Sequence, residues 1–255
     1  MSLNYKRVGK GQPLLLMHGL FGSLDNLGMI SRAMRNDFDV ISVDLPDHGL
    51  SPHTQGFKYD AYAEHVLHLM DSLKIESFYA LGHSMGGKVA MHLALHHPHR
   101  VSKLVVADIA PVKYTPRHNA VFKALTSVDL DSVSSRKEAE AIMMQHLQEP
   151  GVAQFLLRSL GKDDNGKFIW RFNLELLMRD YEHLSQEIAH PHPFTHPTLF
   201  VKGGNSNYIS AEHRPIINAL FPNAEAKIIQ GTGHWLHAEK PNVFAKIVTD
   251  FLTRN

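Results

Sequence analysis

The 255-residue chain contains no cysteine, which excludes disulfides, a thiol nucleophile and thiolate metal sites while saying little about compartment. Nor does one sign of charge prevail. The 26 Lys and Arg stand against 25 Asp and Glu, so no basic surplus points to nucleic acid and no acidic excess to a disordered tail. No stretch approaches the roughly 18 uninterrupted apolar residues of a membrane-spanning helix, and the opening MSLNYKRVGKGQP has no apolar run of signal-peptide length. Internal repeats and low-complexity tracts are missing too. The expectation is a soluble cytoplasmic protein, monomer or homodimer, with neither membrane nor nucleic acid as partner. At 44% hydrophobic content the chain can bury one sizeable core, or a core domain carrying a large insertion, but two independent domains would be a tight fit.

What is present is an alternation of short apolar runs with helical patterns. PLLLM (13–17) and VISVD (40–44) are continuous apolar runs bounded by turn residues, as in strands buried on both faces. NLGMISRAMR between them has helical spacing, and Tyr62, Val66, Leu69, Met70 and Leu73 form a second helical face. The strand FYAL, the helix KVAMHLALHH ended by Pro98, and the strand KLVVAD (103–108) follow. The pattern resumes with TLFVKGG (198–204), a helix over 211–220, the strand AKII (226–229) and a closing amphipathic helix. This predicts an α/β fold, a mostly parallel central sheet flanked by helices.

Between Pro111 and Pro197 strand-like runs disappear, and RKEAEAIMMQHLQ, GVAQFLLRSL and FNLELLMRDYEHL read as helices. The expected organisation is a core domain of residues 1–111 and 197–255 with an all-helical cap, 112–196, inserted before the last two strands, over the strand ends where ligands bind in this architecture.

Directly after FYAL stands Gly82-His83-Ser84-Met85-Gly86-Gly87. A strand turning sharply into a helix strains the serine backbone, and side chains two places either side would collide, hence the glycines. A phosphate-binding turn is the other use of such a stretch, but the G-x-x-x-x-G-K-[ST] pattern is absent.

In that context the chain resembles the α/β-hydrolase superfamily over nearly its whole length, and within it the small bacterial YbfF-type carboxylesterases. The resemblance rests on His18-Gly19-Leu20-Phe21-Gly22, Asp44-Leu45-Pro46-Asp47-His48-Gly49-Leu50-Ser51, the Ser84 motif, and Gly231-Thr232-Gly233-His234, in the family's order. One departure is Pro46-Asp47, where many relatives carry Arg-Gly. The resemblance implies Ser84 as nucleophile and His234, on the loop after the last strand, as its base. His237 is the nearest competitor but lies toward the closing helix. Backbone N–H groups of Leu20 and Met85 are implied as the oxyanion hole, with Phe21 a substitute for Leu20.

The acid departs from the commonest arrangement. Where many relatives have an aspartate in a G-x-x-D turn, this chain reads Gly203-Gly204-Asn205-Ser206, and a serine can orient an imidazole but carries no charge. Some α/β-hydrolases take their acid from the end of an earlier strand, so Asp108 is expected as the acid with Ser206 as auxiliary partner to the histidine. Asp44, Asp180 and Glu212 are weaker candidates.

His190, His192 and His196 lie among prolines with no accompanying carboxylates, and His92 and His96 lack the H-E-x-x-H glutamate, so both groups read as structural or surface histidines. No metal and no cofactor is expected. Substrate contact is expected from Phe21, His83 and Trp235, and from Phe155 or Trp170 of the insertion, although these two also suit a cap core. The implied activity is hydrolysis of a small-molecule ester, or a thioester such as an acyl-CoA, through an acyl-enzyme. Carbon–carbon bond hydrolysis and a slow ligand receptor remain alternatives, while dehalogenases and epoxide hydrolases need a carboxylate in place of Ser84.

Overall fold

The apolar runs become the inner strands of one sheet in the computed structural model, which describes residues 2–254. The first half comprises β1 (Tyr5–Gly9), β2 (Gln12–Met17), α1 (Gly28–Met34), β3 (Phe38–Val43), α2 (Tyr59–Ser72), β4 (Phe78–His83), α3 (Met85–His96) and β5 (Val101–Ala107). The insertion then supplies α4 (Asn119–Ser127), α5 (Arg136–Met143), α6 (Pro150–Leu157), β6 (Leu160–Lys162), β7 (Phe168–Trp170), α7 (Leu174–Arg179) and α8 (Tyr181–Ser185). The chain finishes with β8 (Thr198–Gly203), α9 (Arg214–Leu220), β9 (Ala224–Ile229), α10 (Leu236–Glu239) and α11 (Pro241–Leu252).

The main sheet runs β1-β3-β2-β4-β5-β8-β9, parallel throughout except for β1, which lies antiparallel on β3. All of β3 is buried, as its unbroken apolar run requires of a strand covered on both faces. Successive side chains serve opposite layers. Leu14 and Leu16 pack with α1 and α11, and Leu15 and Met17 pack with α2 and α3. Burying each such leucine contributes about 1.5–3 kcal/mol. Helix α3 is buried from Met85 to Leu95, which explains why its sequence is apolar nearly all round.

Two elements lie outside the expected pattern. Every residue of β1 is exposed, so hydrophobic patterning has nothing to register. The strand is held by its ladder to β3 and by the Arg7–Asp39 ion pair at 2.6 Å. The insertion is also not all-helical, because β6 and β7 form a hairpin. Its turn is built by the Asp163 carboxylate, which accepts from Asn165 N–H at 2.9 Å and Lys167 N–H at 2.8 Å, with Gly166 at φ +80°. An Asn-Gly pair beside an apolar triplet is the hairpin signal that would have found it. The helix read over FNLELLMRDYEHL breaks at Asp180, whose carboxylate accepts from Phe57 N–H at 2.8 Å.

Apolar side chains of the insertion and of the α2/α3 face of the sheet belong to one continuous cluster, in which Phe21 meets Phe122 and Phe172 edge-on or tilted. Polar ties reinforce it: Ser159 Oγ donates to Phe21 O at 2.7 Å, and Asn173 donates to Asp47 from both backbone and side chain at 2.9 Å. Asp47, the unusual residue after Pro46, sits at φ +63°. Burial opposes its charge, but hydrogen bonds from Thr54, Asn173 and Tyr62 outweigh that and hold the carboxyl below its ordinary range.

Candidate active site

Ser84 joins the last residue of β4 to the first of α3 with φ 53° and ψ −119°. Such a conformation costs on the order of 1–3 kcal/mol and persists only where its surroundings impose it. Here they do. A Cβ on Gly82 would lie 2.1 Å from Gly86 O, and one on Gly86 would lie 2.4 Å from His18 O. Only glycine at both places lets the elbow close.

The turn aims Ser84 Oγ at His234 Nε2, 3.0 Å away, and His234 Nδ1 donates to Asp108 Oδ2 at 2.8 Å. Asp108 follows β5 directly, is fully buried, and also takes a positive φ of 50°. Its Oδ1 accepts from Gly203 N–H at 3.0 Å, and its Oδ2 accepts from the Ser206 hydroxyl. Ser206 therefore partners the carboxylate, not the imidazole as the sequence suggested, because β8 delivers the 203–206 turn to Asp108 rather than to His234.

His234 is fixed from three sides. Its carbonyl accepts from His83 Nε2 at 2.8 Å, the preceding Gly233 N–H donates to the Glu239 carboxylate at 3.0 Å, and the Tyr208 ring stacks on the imidazole at 3.9 Å between centroids. Burial, then the neighbouring His237 and His234, push His83 well below the usual histidine range, so it serves as a neutral donor. His237 lies behind His83, ring centroids 4.3 Å apart, and burial lowers it to about 3.

The His18–Gly22 loop curls over the same spot, with Gly22 N–H donating to Gly19 O at 3.0 Å and Phe21 at φ 61°. Burial pushes His18 down to about 4; neutral, it donates from Nδ1 to Gly19 O at 2.8 Å and accepts at Nε2 from Leu45 N–H at 3.0 Å. Among the described residues, no protein acceptor takes the N–H of Leu20, Phe21 or Met85. Three free donors thus border Ser84.

Two chambers meet at the serine. The smaller, ≈ 50 Å³, is walled by Leu20, Met85, Ile109 and Leu184 and floored by Lys88, Tyr59 and Tyr114. The larger, ≈ 290 Å³, lies on the His234 side. Phe21, His83, Phe155 and Trp235 border it, but the Nε2 of His83 is spent on His234 O. Trp170 does not reach either chamber: it stacks on Phe172, which packs against Phe21. Its expected substrate contact is replaced by a supporting one. Tyr208, Arg117, His118 and Lys88 border the site and were not anticipated. Tyr208 lies two residues beyond Ser206 and was findable from that turn, whereas Arg117 and His118 sit in a linker without pattern.

The remaining histidines are placed elsewhere. His92 stacks on His96 at 3.7 Å and meets Asp60 at 3.1 Å, and His196 Nδ1 donates to Val101 O at 2.9 Å. Among the described residues no group of three His, Asp or Glu is arranged to hold a metal ion.

Residues 12–130 match the family model described as the alpha/beta hydrolase fold. The chain is 43% identical to esterase YbfF of Escherichia coli (strain K12) over 241 residues, covering 94% of this chain and 92% of that protein. The chain belongs to the α/β-hydrolase family. It is also 38% identical, over 94% of its length, to the sn-1-specific diacylglycerol lipase ABHD11 of Mus musculus, 80% of which is covered. A solved marine microorganism esterase superposes with a TM-score of 0.95 at 35% identity, covering 98% of this chain and 99% of that one. Within the α/β-hydrolases the chain is an enzyme of the carboxylesterase type. Among the described residues no helix is long and apolar enough to cross a membrane.

Proposed function

We propose that this hydrolase cleaves carboxylic esters through an acyl-enzyme on Ser84. His234 takes the serine proton as Oγ attacks the carbonyl carbon, Asp108 stabilises the imidazolium, and the free N–H groups of Leu20 and Met85 receive the oxyanion. His234 then protonates the leaving oxygen, and water, activated by the same histidine, releases the acid. The observation that carries this reading is the unbroken line from Ser84 Oγ through His234 to Asp108, at 3.0 Å and 2.8 Å. Each oxyanion donor is worth about 2.7–4 kcal/mol of transition-state stabilisation. A thioester offers the same carbonyl to the same groups and falls within the proposal. We read residues 112–196 as a cap, since Tyr114, His118, Val152 and Phe155 roof the chambers beside Ser84.

The two chambers divide the substrate. The leaving oxygen must face His234, so the alcohol or thiol portion belongs in the larger chamber and the acyl group beside Met85 in the smaller one. Short-acyl esters of bulkier alcohols fit this division. The test is p-nitrophenyl acetate turnover with Ser84→Ala run alongside: release of p-nitrophenol should begin with a burst matching the enzyme concentration and vanish in the variant. Equal activity in the variant would end the acyl-enzyme reading.

A further inference from the structure

Helix α3 carries a lysine into the floor of the smaller chamber, and the chemistry above makes no use of it. Lys88 is 2% exposed and lies one turn beyond Ser84, its N–H donating to Ser84 O at 3.1 Å. A buried ammonium is costly unless its protons are all accepted. Here it donates to Val112 O at 3.0 Å, to Ser185 O at 3.4 Å and to Gln186 O. Those carbonyls belong to the two ends of the insertion, where the chain leaves β5 and where it returns.

The same two ends are laced together by Tyr114 N–H to Ser185 O at 2.9 Å and Ile188 N–H to Pro111 O at 3.2 Å. The Tyr114 and Tyr59 rings flank the ammonium at 5.0 and 5.9 Å, and Tyr59 Oη donates to Leu184 O at 2.8 Å. On the far side of this wall a hollow of ≈ 440 Å³, bordered by Tyr59 and Gln186, opens to solvent. Tyr59 borders this hollow and the smaller chamber alike, the latter ≈ 50 Å³ against ≈ 290 Å³ for the chamber on the His234 side.

Resting on the ester reading, we propose that Lys88 is the specificity-determining residue for the acyl group. By pinning both ends of the insertion to α3 it closes the acyl chamber on the side of the outer hollow, and long acyl groups are turned away. Burial pushes the Lys88 amine down to about 7, and its N–H groups are taken up by the Val112, Ser185 and Gln186 carbonyls, so it acts as a stop and not as a ligand.

The experiment compares kcat/KM for p-nitrophenyl butyrate and octanoate in the unmodified protein, Lys88→Met and Lys88→Gln, each checked for folding by circular dichroism. The unmodified protein should favour butyrate, and Lys88→Met should raise the octanoate-to-butyrate ratio about tenfold, with Lys88→Gln between them. Varying the alcohol of an acetyl ester should leave the preference among alcohols unmoved, whereas a general loosening would shift both. An unmodified protein that takes octanoate as well as butyrate, or a folded Lys88→Met with an unchanged ratio, overturns the proposal. Should neither variant fold, a structure of the unmodified protein with an octylphosphonate trapped on Ser84 decides: a chain lying in the larger chamber upholds it, and one threaded past Lys88 defeats it. Failure of the ester reading shows differently, as no turnover of any ester and no phosphonate on Ser84.

Discussion

Asp108 Oδ2 accepts both the His234 Nδ1 proton and the Ser206 hydroxyl proton. In the proposed mechanism one oxygen thus meets the charge that forms on the imidazole while a neutral neighbour holds it in place. The two side chains should therefore differ sharply in their effect on rate. Asp108→Asn should lower kcat on p-nitrophenyl acetate by about 10⁴, since an amide cannot stabilise the imidazolium and favours the wrong tautomer. Ser206→Ala should lower it only about tenfold to a hundredfold, the worth of a hydrogen bond to a charged group. Steady-state kinetics on the two variants checks both, and similar losses would mean that the charge is supplied elsewhere.

The stacked ring of Tyr208 gives a second expectation. Tyr208→Ala should free the imidazole to turn and lower kcat by about tenfold, in line with what small misplacements of a catalytic group cost. Tyr208→Phe keeps the ring and should stay within about twofold of the unmodified rate if stacking is what matters. A phenylalanine variant as slow as the alanine one would assign the effect to the hydroxyl.

At the elbow, Gly82→Ala would drive a methyl into Gly86 O, backbone against backbone with no flexible side chain to yield. The expected loss is about 1–3 kcal/mol of unfolding free energy, together with a displaced Ser84. Urea melts read the first and titration of the burst reads the second. A variant of unchanged midpoint and full burst would mean that the strand and helix separate more easily than their contacts suggest.

Acid should destabilise the protein through histidines buried without charge. Burial takes His18 to about 4 and His48 to about 3, while the unfolded chain titrates near 6.5. Because the folded values are depressed, these groups favour folding fully above pH ~6.5, and their contribution is lost as pH falls from there toward about 4, where the unfolded chain binds protons the folded one refuses. One such group costs about 2 kcal/mol at pH ~5. The melting temperature should accordingly fall by at least about 4 °C between pH ~7.5 and ~5. A flat profile in differential scanning fluorimetry would contradict the neutral assignment.

The parts of the molecule differ in how much they disclose in sequence. Inner strands such as β3 announce themselves because burial on both faces demands an unbroken apolar run, and the meeting of Ser84, His234 and Asp108 was legible because glycines and strand ends mark each of them. β1 is silent for the opposite reason: its stability comes from backbone pairing, which leaves no trace in side-chain pattern. Ser206 meets the carboxylate rather than the imidazole, since the turn type is readable in sequence but its direction depends on the β5–β8 pairing. Trp170 supports Phe172 rather than lining a chamber, because in sequence an aromatic of the insertion looks the same whether it faces a cavity or supports the residue that does. Tyr208 stands beside the readable Ser206 turn, but its stacking on His234 is not visible in that turn, and Lys88 ties carbonyls 24, 97 and 98 residues away, beyond the reach of any local motif.

Ser84 and Asp108 each extend one residue past the paired His83 and Ala107, the last rung between two interior strands, and Ser84 N–H itself donates to Ala107 O at 3.0 Å. Neighbouring strands are held about 4.8 Å apart by their ladder, so the spacing of these two side chains is a dimension of the sheet and cannot change without melting it. His234 alone rides on a loop. In mechanical terms two parts of the site are cast into the frame and the third is bolted on from outside it, so drift over successive mutations should show first in the bearing of that histidine.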